Sequence, residues 1–392
     1  MFFEKFSYYL LLGFFTIYLL SCQPKQENNK QNIESTSLPI VSEDLTSNSP
    51  ATELAENQLK IREENLTLLE TILQKNNQLE QAKNWKYKAL FIKVNQTQQL
   101  PKLTYYYYQS IRKDTNNNQI QDSEDQGFFN PASTVKVGIS ALTLEKLHNL
   151  NLPRETKYKI AGTSQWYSLE EDMKKALVIS DNQATNRLIL FLGFNYLNFR
   201  MNSLGFNSYS VNRLMLNQGT LVNSPAFELK FQEQIIKQPS QKTTQKATCF
   251  EIGKTIGNCA SAEDLAQIFM TVIQPEFSSS KNQFNLREED RLWLHEVMSK
   301  KPREVGLNYE NTFCRFLDPL GNKIASKTGR LLSKCGVGLF SHTFVDTSFL
   351  ETDQGEKYYL IIAVTPPSQI SQTEVIRWFN TTTELILNEL KN

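Results

Sequence analysis

Strand-like and helix-like patterns divide this chain into three stretches, and that division limits the folds open to it. Residues 87–94 (YKALFIKV) read as a strand, and Leu103 to Gln109, with tyrosine at 105–108, suits a pleated surface better than a helix. Strand patterns return only at 323–328, 336–346 and 357–364. Between them the periods are helical. Asn130 can cap a helix with Pro131 at its first position, and apolar residues continue to Leu147. Ser168 and Glu171 form a capping box ahead of Met173, Ala176, Leu177 and Ile179. Further helical stretches cover 182–192, 224–238, 261–273 and 287–300. Residues 52–83 also read as helical, and a last helix follows Pro366-Pro367. Strands from both ends must share one sheet. The expected class is therefore α+β: an antiparallel sheet flanked by helices from the N- and C-terminal segments, with an inserted all-helical lobe at about 133–315.

The first 22 residues read as an export signal. An uncharged apolar run from Phe6 to Leu20 is short for a membrane span and ends in Leu19-Leu20-Ser21-Cys22. That ending resembles the lipobox of bacterial lipoproteins, which implies lipid attachment at Cys22 and an exported, envelope or periplasmic protein anchored to a membrane. Residues 23–51 are polar and poor in aromatics, so they suit a disordered tether, with the folded domain at 52–392. Such a tether spans on the order of 30 Å. With 42 basic and 41 acidic residues and no basic block, nucleic-acid binding has no electrostatic footprint. Cys249, Cys259, Cys314 and Cys335 allow two disulfides in three pairings, and closeness in sequence favours Cys249–Cys259 with Cys314–Cys335. The scattered His148, His295 and His342 read as structural, and neither a metal nor a cofactor is expected.

Three short motifs carry chemistry. Ser133 and Lys136 stand at i and i+3 near a helix start, so they share a face. A hydroxyl there can attack a carbonyl while the first-turn N–H groups stabilise the oxyanion, provided a base takes its proton; Lys136 is the candidate. Ser278 to Lys281 repeats the spacing but lies in a polar loop. Ser180-Asp181-Asn182 follows an apolar helix end: Ser180 would relay a proton, Asn182 would bind a substrate amide and Asp181 would brace the turn. Lys327-Thr328-Gly329 closes the expected strand 323–328, with Lys327 placed to lower nearby pKa values, Thr328 to bind an acidic substrate group, Gly329 to admit close backbone approach and the N–H of Arg330 to serve as a second oxyanion donor.

A Ser-x-x-Lys, Ser-Asp-Asn, Lys-Thr-Gly series in this order, with Asn130 to Lys136 reading NPASTVK, resembles the class A β-lactamase-like serine hydrolases and penicillin-binding proteins. The resemblance, covering about 55–392, implies a sandwich plus a helical lobe with the site between them. It implies an acyl-serine on Ser133, Lys136 in the acylation base system, Ser180 and Asn182 lining the cleft, and Lys327 with Thr328 gripping the substrate carboxylate. Members that hydrolyse β-lactams carry a Glu-x-x-Leu-Asn motif downstream. Here the matching stretch is read as Arg213 to Asn217, with Arg213 in the glutamate's place, and Glu228 and Glu233 out of register. Arg330 is also bulky where the family prefers a small residue. The expected partner is a small β-lactam or a peptidoglycan-derived amide or ester, attacked by a monomer that releases its product slowly. A DD-peptidase or other cell-wall acyl-transfer enzyme and a catalytically silent envelope module are the alternatives.

Overall fold

The computed structural model describes residues 61–96, 101–108, 128–249, 256–305, 316–324, 329–338 and 342–391. The signal, the tether, Cys22, Cys314, Lys327 and Thr328 lie outside them. In chain order the elements are β1 (Ile61–Asn65), α1 (Leu68–Lys75), α2 (Leu79–Asn84), β2 (Lys88–Gln96), β3 (Pro101–Tyr108) and β4 (Phe128–Phe129). A 3-10 turn (Ala132–Thr134) leads into α3 (Val135–Asn149), followed by β5 (Lys157–Ile160), β6 (Tyr167–Ser168), α4 (Leu169–Val178), α5 (Asn182–Leu192) and α6 (Phe194–Ser203). Then come β7 (Phe227–Phe231), β8 (Gln234–Gln238), β9 (Ala260–Ser261), α7 (Ala262–Ile273), α8 (Glu288–Ser299) and α9 (Asp318–Ile324). The chain closes with β10 (Arg330–Gly338), β11 (Thr343–Glu351), β12 (Lys357–Val364) and α10 (Gln372–Lys391).

Among the described residues the main sheet has six strands in the order β1-β3-β2-β12-β11-β10. Strands from the two chain ends meet where β2 pairs antiparallel with β12, as the divided pattern requires. The sheet is mixed, because β1 lies parallel to β3. This corrects the helical reading of 52–83 at Ile61–Asn65. The polar Glu63, Glu64 and Asn65 tolerate an edge position, the backbone gains β3 as partner, and Asn65 Oδ1 then accepts from Leu68 N–H to start α1. Aromatic and aliphatic residues of α1, α2, α9 and α10 pack on one face, around Trp85, Tyr87, Phe316, Trp378 and Phe379. The other face meets the helical lobe.

The lobe turns on α3, in which twelve residues, Lys136 and Glu145 included, are buried. A helix enclosed on every side is a core element, and its sequence shows no polar stripe. The lobe is not all helical. Residues 224–238, expected as helix, form the β7–β8 hairpin of a four-stranded sheet ordered β6-β5-β7-β8. Phe227 and Leu229 are buried at alternate positions, a period of two overlooked in favour of longer spacing. Two further expectations fail at 323–346. Lys323 and Ile324 end α9, docked on α10 by Asn380, which accepts from Leu320 N–H at 3.0 Å and donates to Phe316 O at 2.8 Å. The run 336–346 is not one strand but the facing ends of β10 and β11. The Ser168 cap forms, accepting from Glu171 N–H, and Cys249 is bonded to Cys259. Cys335 is buried within β10.

Candidate active site

Asn130 Oδ1 accepts from Ala132 N–H at 2.9 Å, and Thr134 Oγ1 donates to Pro131 O at 2.6 Å. These two bonds fold the approach to α3 into a 3-10 turn, so the α-helix starts at Val135 and not directly after an Asn130 cap. Ser133 sits half-buried in that turn, while Lys136, one turn on, is fully buried.

Three oxygens lie within hydrogen-bond reach of the lysine Nζ: Ser180 O at 2.7 Å, Ser180 Oγ at 2.9 Å and Asn182 Oδ1 at 2.8 Å. Ser180 adopts a left-handed backbone, φ 59°, which costs an L-residue roughly 1–2 kcal/mol. Asp181 supports that turn by capping α5, its Oδ1 accepting from Ala184 N–H at 2.8 Å. The strained junction aims both Ser180 oxygens and the Asn182 amide at the lysine. Ser180 and Asn182 remain half-buried. A buried lysine therefore underlies a group of partly exposed hydroxyl and amide side chains.

The third wall is β10, the edge strand of the main sheet. A Cβ built on Gly336 would lie 2.3 Å from Ser133 N and 2.7 Å from Ser133 Cβ, so only glycine lets the strand pass the serine this closely. Two residues earlier, the buried Lys334 donates from Nζ to Leu177 O at 3.2 Å, at the C-terminal end of α4 where backbone carbonyls favour a cation. Two buried lysines thus reach the α4–α5 junction, Lys136 from the helix and Lys334 from the strand.

The structure gathers Ser180 and Asn182 on Lys136, one turn from Ser133, and leaves Gly329 and Arg330 elsewhere. Gly329 N–H donates to Asp353 Oδ1 at 3.0 Å, and Arg330 pairs with Glu351 at 2.9 Å with its guanidinium over Phe349. Gly336 is six residues along the strand from Arg330, about 20 Å at the usual rise. Gly329 and Arg330 are therefore too far along β10 to act on Ser133. Lys334 and Gly336, which the sequence reading passed over, occupy that strand position instead. Lys334-Cys335-Gly336 has the same lysine-to-glycine spacing as 327–329, but its middle residue carries a thiol where the motif has a hydroxyl.

Arg213 also differs from its expected place. Asn258 holds it by the backbone, accepting from Arg213 N–H at 3.0 Å and donating to its carbonyl at 3.3 Å, and it bridges to Thr220 at the neck of a loop. The residue of that loop laid on α5 is Met215. Asn186, one turn beyond Asn182, accepts from Met215 N–H at 2.6 Å and donates to Met215 O at 3.3 Å and Gln218 Oε1 at 2.7 Å. Glu228 is paired with Lys159 in the small sheet, and Glu233 lies in the β7–β8 turn. Of the histidines, His148 contacts Asn285 O and His295 contacts Val272 O. Among the described residues no group of three or more His, Cys, Asp or Glu side chains could hold a metal ion.

No curated protein matches the chain. Solved structures share the fold. PBP-A, in a mutant form caught as an acyl-enzyme complex with penicillin G, is 16% identical with a TM-score of 0.54, the match covering 84% of this chain and 99% of that one. The chromosome-encoded β-lactamase of Vibrio parahaemolyticus is 14% identical with a TM-score of 0.54, over 82% of this chain and 99% of its own. TLA-3 extended-spectrum β-lactamase is 12% identical with a TM-score of 0.51, over 83% and 100%. A sequence model of the "Beta-lactamase enzyme family" matches residues 95–390. A match over most of the folded chain, on a fold that these proteins share, makes the protein a member of the β-lactamase enzyme family.

Proposed function

We propose that the protein is an exported, lipid-anchored serine hydrolase that forms an acyl-serine on Ser133 with a β-lactam or a peptidoglycan-derived amide or ester, and that it releases this acyl group slowly. The observation that carries the reading is Lys136, buried and bonded to Ser180 and Asn182 one helical turn from an accessible serine. Ser133 Oγ attacks the carbonyl carbon, and its proton passes to Lys136, which acts here as the neutral amine and becomes the ammonium. The tetrahedral oxyanion is held by the Ser133 N–H and by an outward N–H of β10, since an edge strand directs alternate N–H groups away from its partner. Collapse of this intermediate breaks the C–N or C–O bond, and the proton returns through Ser180 to the leaving atom.

Hydrolysis of the acyl-serine then needs a base for water. Residues 212–221 (NRLMLNQGTL), which carry the loop on α5, contain no acid. The position clasped by Asn186 is an apolar methionine, which supports slow release. The test is a fluorescent penicillin followed by a chromogenic cephalosporin. Stoichiometric labelling of Ser133 with release over many minutes is expected, and Met215→Glu should speed release. Fast turnover of the cephalosporin by the wild type would overturn the slow-release reading. An unlabelled Ser133 would overturn the acyl-serine itself. The acid-free loop equally favours a DD-peptidase, which D-alanine release from a D-Ala-D-Ala peptide would reveal.

A further inference from the structure

The loop beside the reactive serine is fastened by a cross-link whose two cysteines border an open groove. Cys249 and Cys259 are joined across ten residues. Inside this covalent loop, Asn258 Oδ1 accepts from both Asn212 N–H at 2.9 Å and Arg213 N–H at 3.0 Å. Asn212 Nδ2 in turn donates to Gly257 O at 2.8 Å and approaches Cys249 Sγ at 3.3 Å. Two residues after Arg213 the chain reaches Met215 and the Asn186 clasp on α5. On the other side, Cys259 exchanges backbone bonds with Ser210, and the next residue, Ala260, pairs with Phe129, four residues before Ser133. The disulfide therefore ties the loop on α5 and the approach to the nucleophile to one point.

That point lies just below the surface, with Cys249 3% and Cys259 7% exposed. Both cysteines line a cavity of about 360 Å³ walled by Asn195, Asn198 and Phe199 of α6 and by Thr248. Phe199 stands 75% exposed at this groove. Its floor includes Tyr209, whose hydroxyl donates to Val135 O at 2.7 Å, at the first residue of α3.

From these contacts we infer that the Cys249–Cys259 disulfide is a redox-sensitive positioning clamp on residues 212–218, opened through the groove by a dithiol reductant; this rests on the acyl-serine reading of Ser133. The dithiol attacks one sulfur and then resolves, passing two electrons and two protons to the pair. This leaves two thiols here and a disulfide on the reductant. With the bond gone, Asn258 is no longer held against Asn212 and Arg213 by a closed ring, and the loop on α5 loses its fixed neck. Acylation needs a positioned cleft, so it slows while the fold persists.

The experiment measures labelling of the full chain by a fluorescent penicillin, oxidised and after dithiothreitol, alongside the Cys249→Ser/Cys259→Ser double variant. Reduction and the double substitution should each slow labelling about tenfold, and dithiothreitol should have no further effect on the double variant. Equal rates in all three states overturn the inference. If the double variant fails to fold, Asn258→Ala keeps the cross-link and removes the grip; it should slow labelling to a similar degree, and wild-type labelling by it overturns the inference. If the oxidised wild type is not labelled at all, the acyl-serine reading fails separately. Hydrogen exchange then decides the clamp: faster exchange at 212–218 on reduction supports it, and unchanged exchange overturns it.

Discussion

The helix-borne and strand-borne walls of the cleft present lysines in opposite ways. On the helical side, Ser133 and Lys136 are separated by one turn, and the α4–α5 junction supplies the acceptors around Lys136. Local spacing fixes that geometry, because residues three apart on a helix share a face whatever the helix packs against. On the strand side, Lys334 reaches the junction only because β10 pairs with β11 in a register that puts Gly336 opposite Val345 and against Ser133. Register belongs to the sheet, and nothing inside a nine-residue strand declares which part of its length will meet another lobe. The contrast gives a rule for reading such chains: a motif on a helix can be located from its own letters, whereas a motif on a strand must be located from its pairing.

The largest effects should fall on the helical wall. Ser133→Ala should abolish labelling by a fluorescent penicillin. Lys136→Ala should slow it by about 10² to 10⁴-fold, the usual contribution of a positioned base, while circular dichroism shows the fold retained. Labelling of Lys136→Ala at the wild-type rate would remove this lysine from the acylation step and leave Ser180 needing another proton partner.

The strand wall offers the sharper discrimination, because two candidate triplets compete for its role. Gly336→Ala puts a methyl group 2.3 Å from Ser133 N. Backbone must shift at the nucleophile, and labelling should fall about 100-fold, the usual penalty for a misplacement near 1 Å. Gly329→Ala, at the Asp353 end of the strand, should stay within about twofold, as expected of a change remote from the reacting atoms. A smaller difference separates the lysines: Lys334→Ala should slow labelling about tenfold through loss of a fixed charge near the oxyanion, with Lys327→Ala close to wild type. If the Lys327 variant is the slow one, the assignment of β10 as the substrate-binding strand is wrong, and the 327–329 triplet regains its role.

How far the letters alone carried can be seen in those same residues. The sheet closed by both chain ends was legible because the short apolar, aromatic and β-branched runs at 87–94 and 357–364 read as strands. The capping of α4 by Ser168 and the bracing of the next turn by Asp181 were legible because such bonds are local. Illegible were β1, a polar edge that exists only because β3 offers it a ladder, and the β7–β8 hairpin, whose period of two spans just Phe227, Leu229 and Phe231. Lys334-Cys335-Gly336 was passed over because its thiol breaks the hydroxyl pattern, while 327–329 matches the motif letter for letter. The seating of Met215 on α5 was illegible because the clasp that holds it comes from Asn186, on another element.

The smallest effect concerns a third lysine, on the same helix as Lys136, and it tests whether burial alone distinguishes the lysines that act from those that do not. Lys146 lies on α3 ten residues beyond Lys136; its Nζ donates to Phe191 O at 2.7 Å and stands over the Phe191 ring. Burial lowers its pKa to about 7 from 10.5. Between these values the unfolded chain holds a proton that the folded chain has released, so unfolding takes up a proton and raising the pH favours the folded state. The folded form therefore carries a penalty below pH 7 that is relieved as pH climbs toward 10. In Lys146→Met this group no longer titrates. Measured by urea unfolding, wild-type stability relative to the variant should rise by about 1 kcal/mol per pH unit from pH 7 to 9, with labelling of Ser133 unaltered in the variant. A flat difference across that range would mean that the Phe191 carbonyl and the ring keep Lys146 charged. Burial would then be a poor guide to lysine chemistry in this lobe, and the case for Lys136 would rest on its contacts with Ser180 and Asn182 alone.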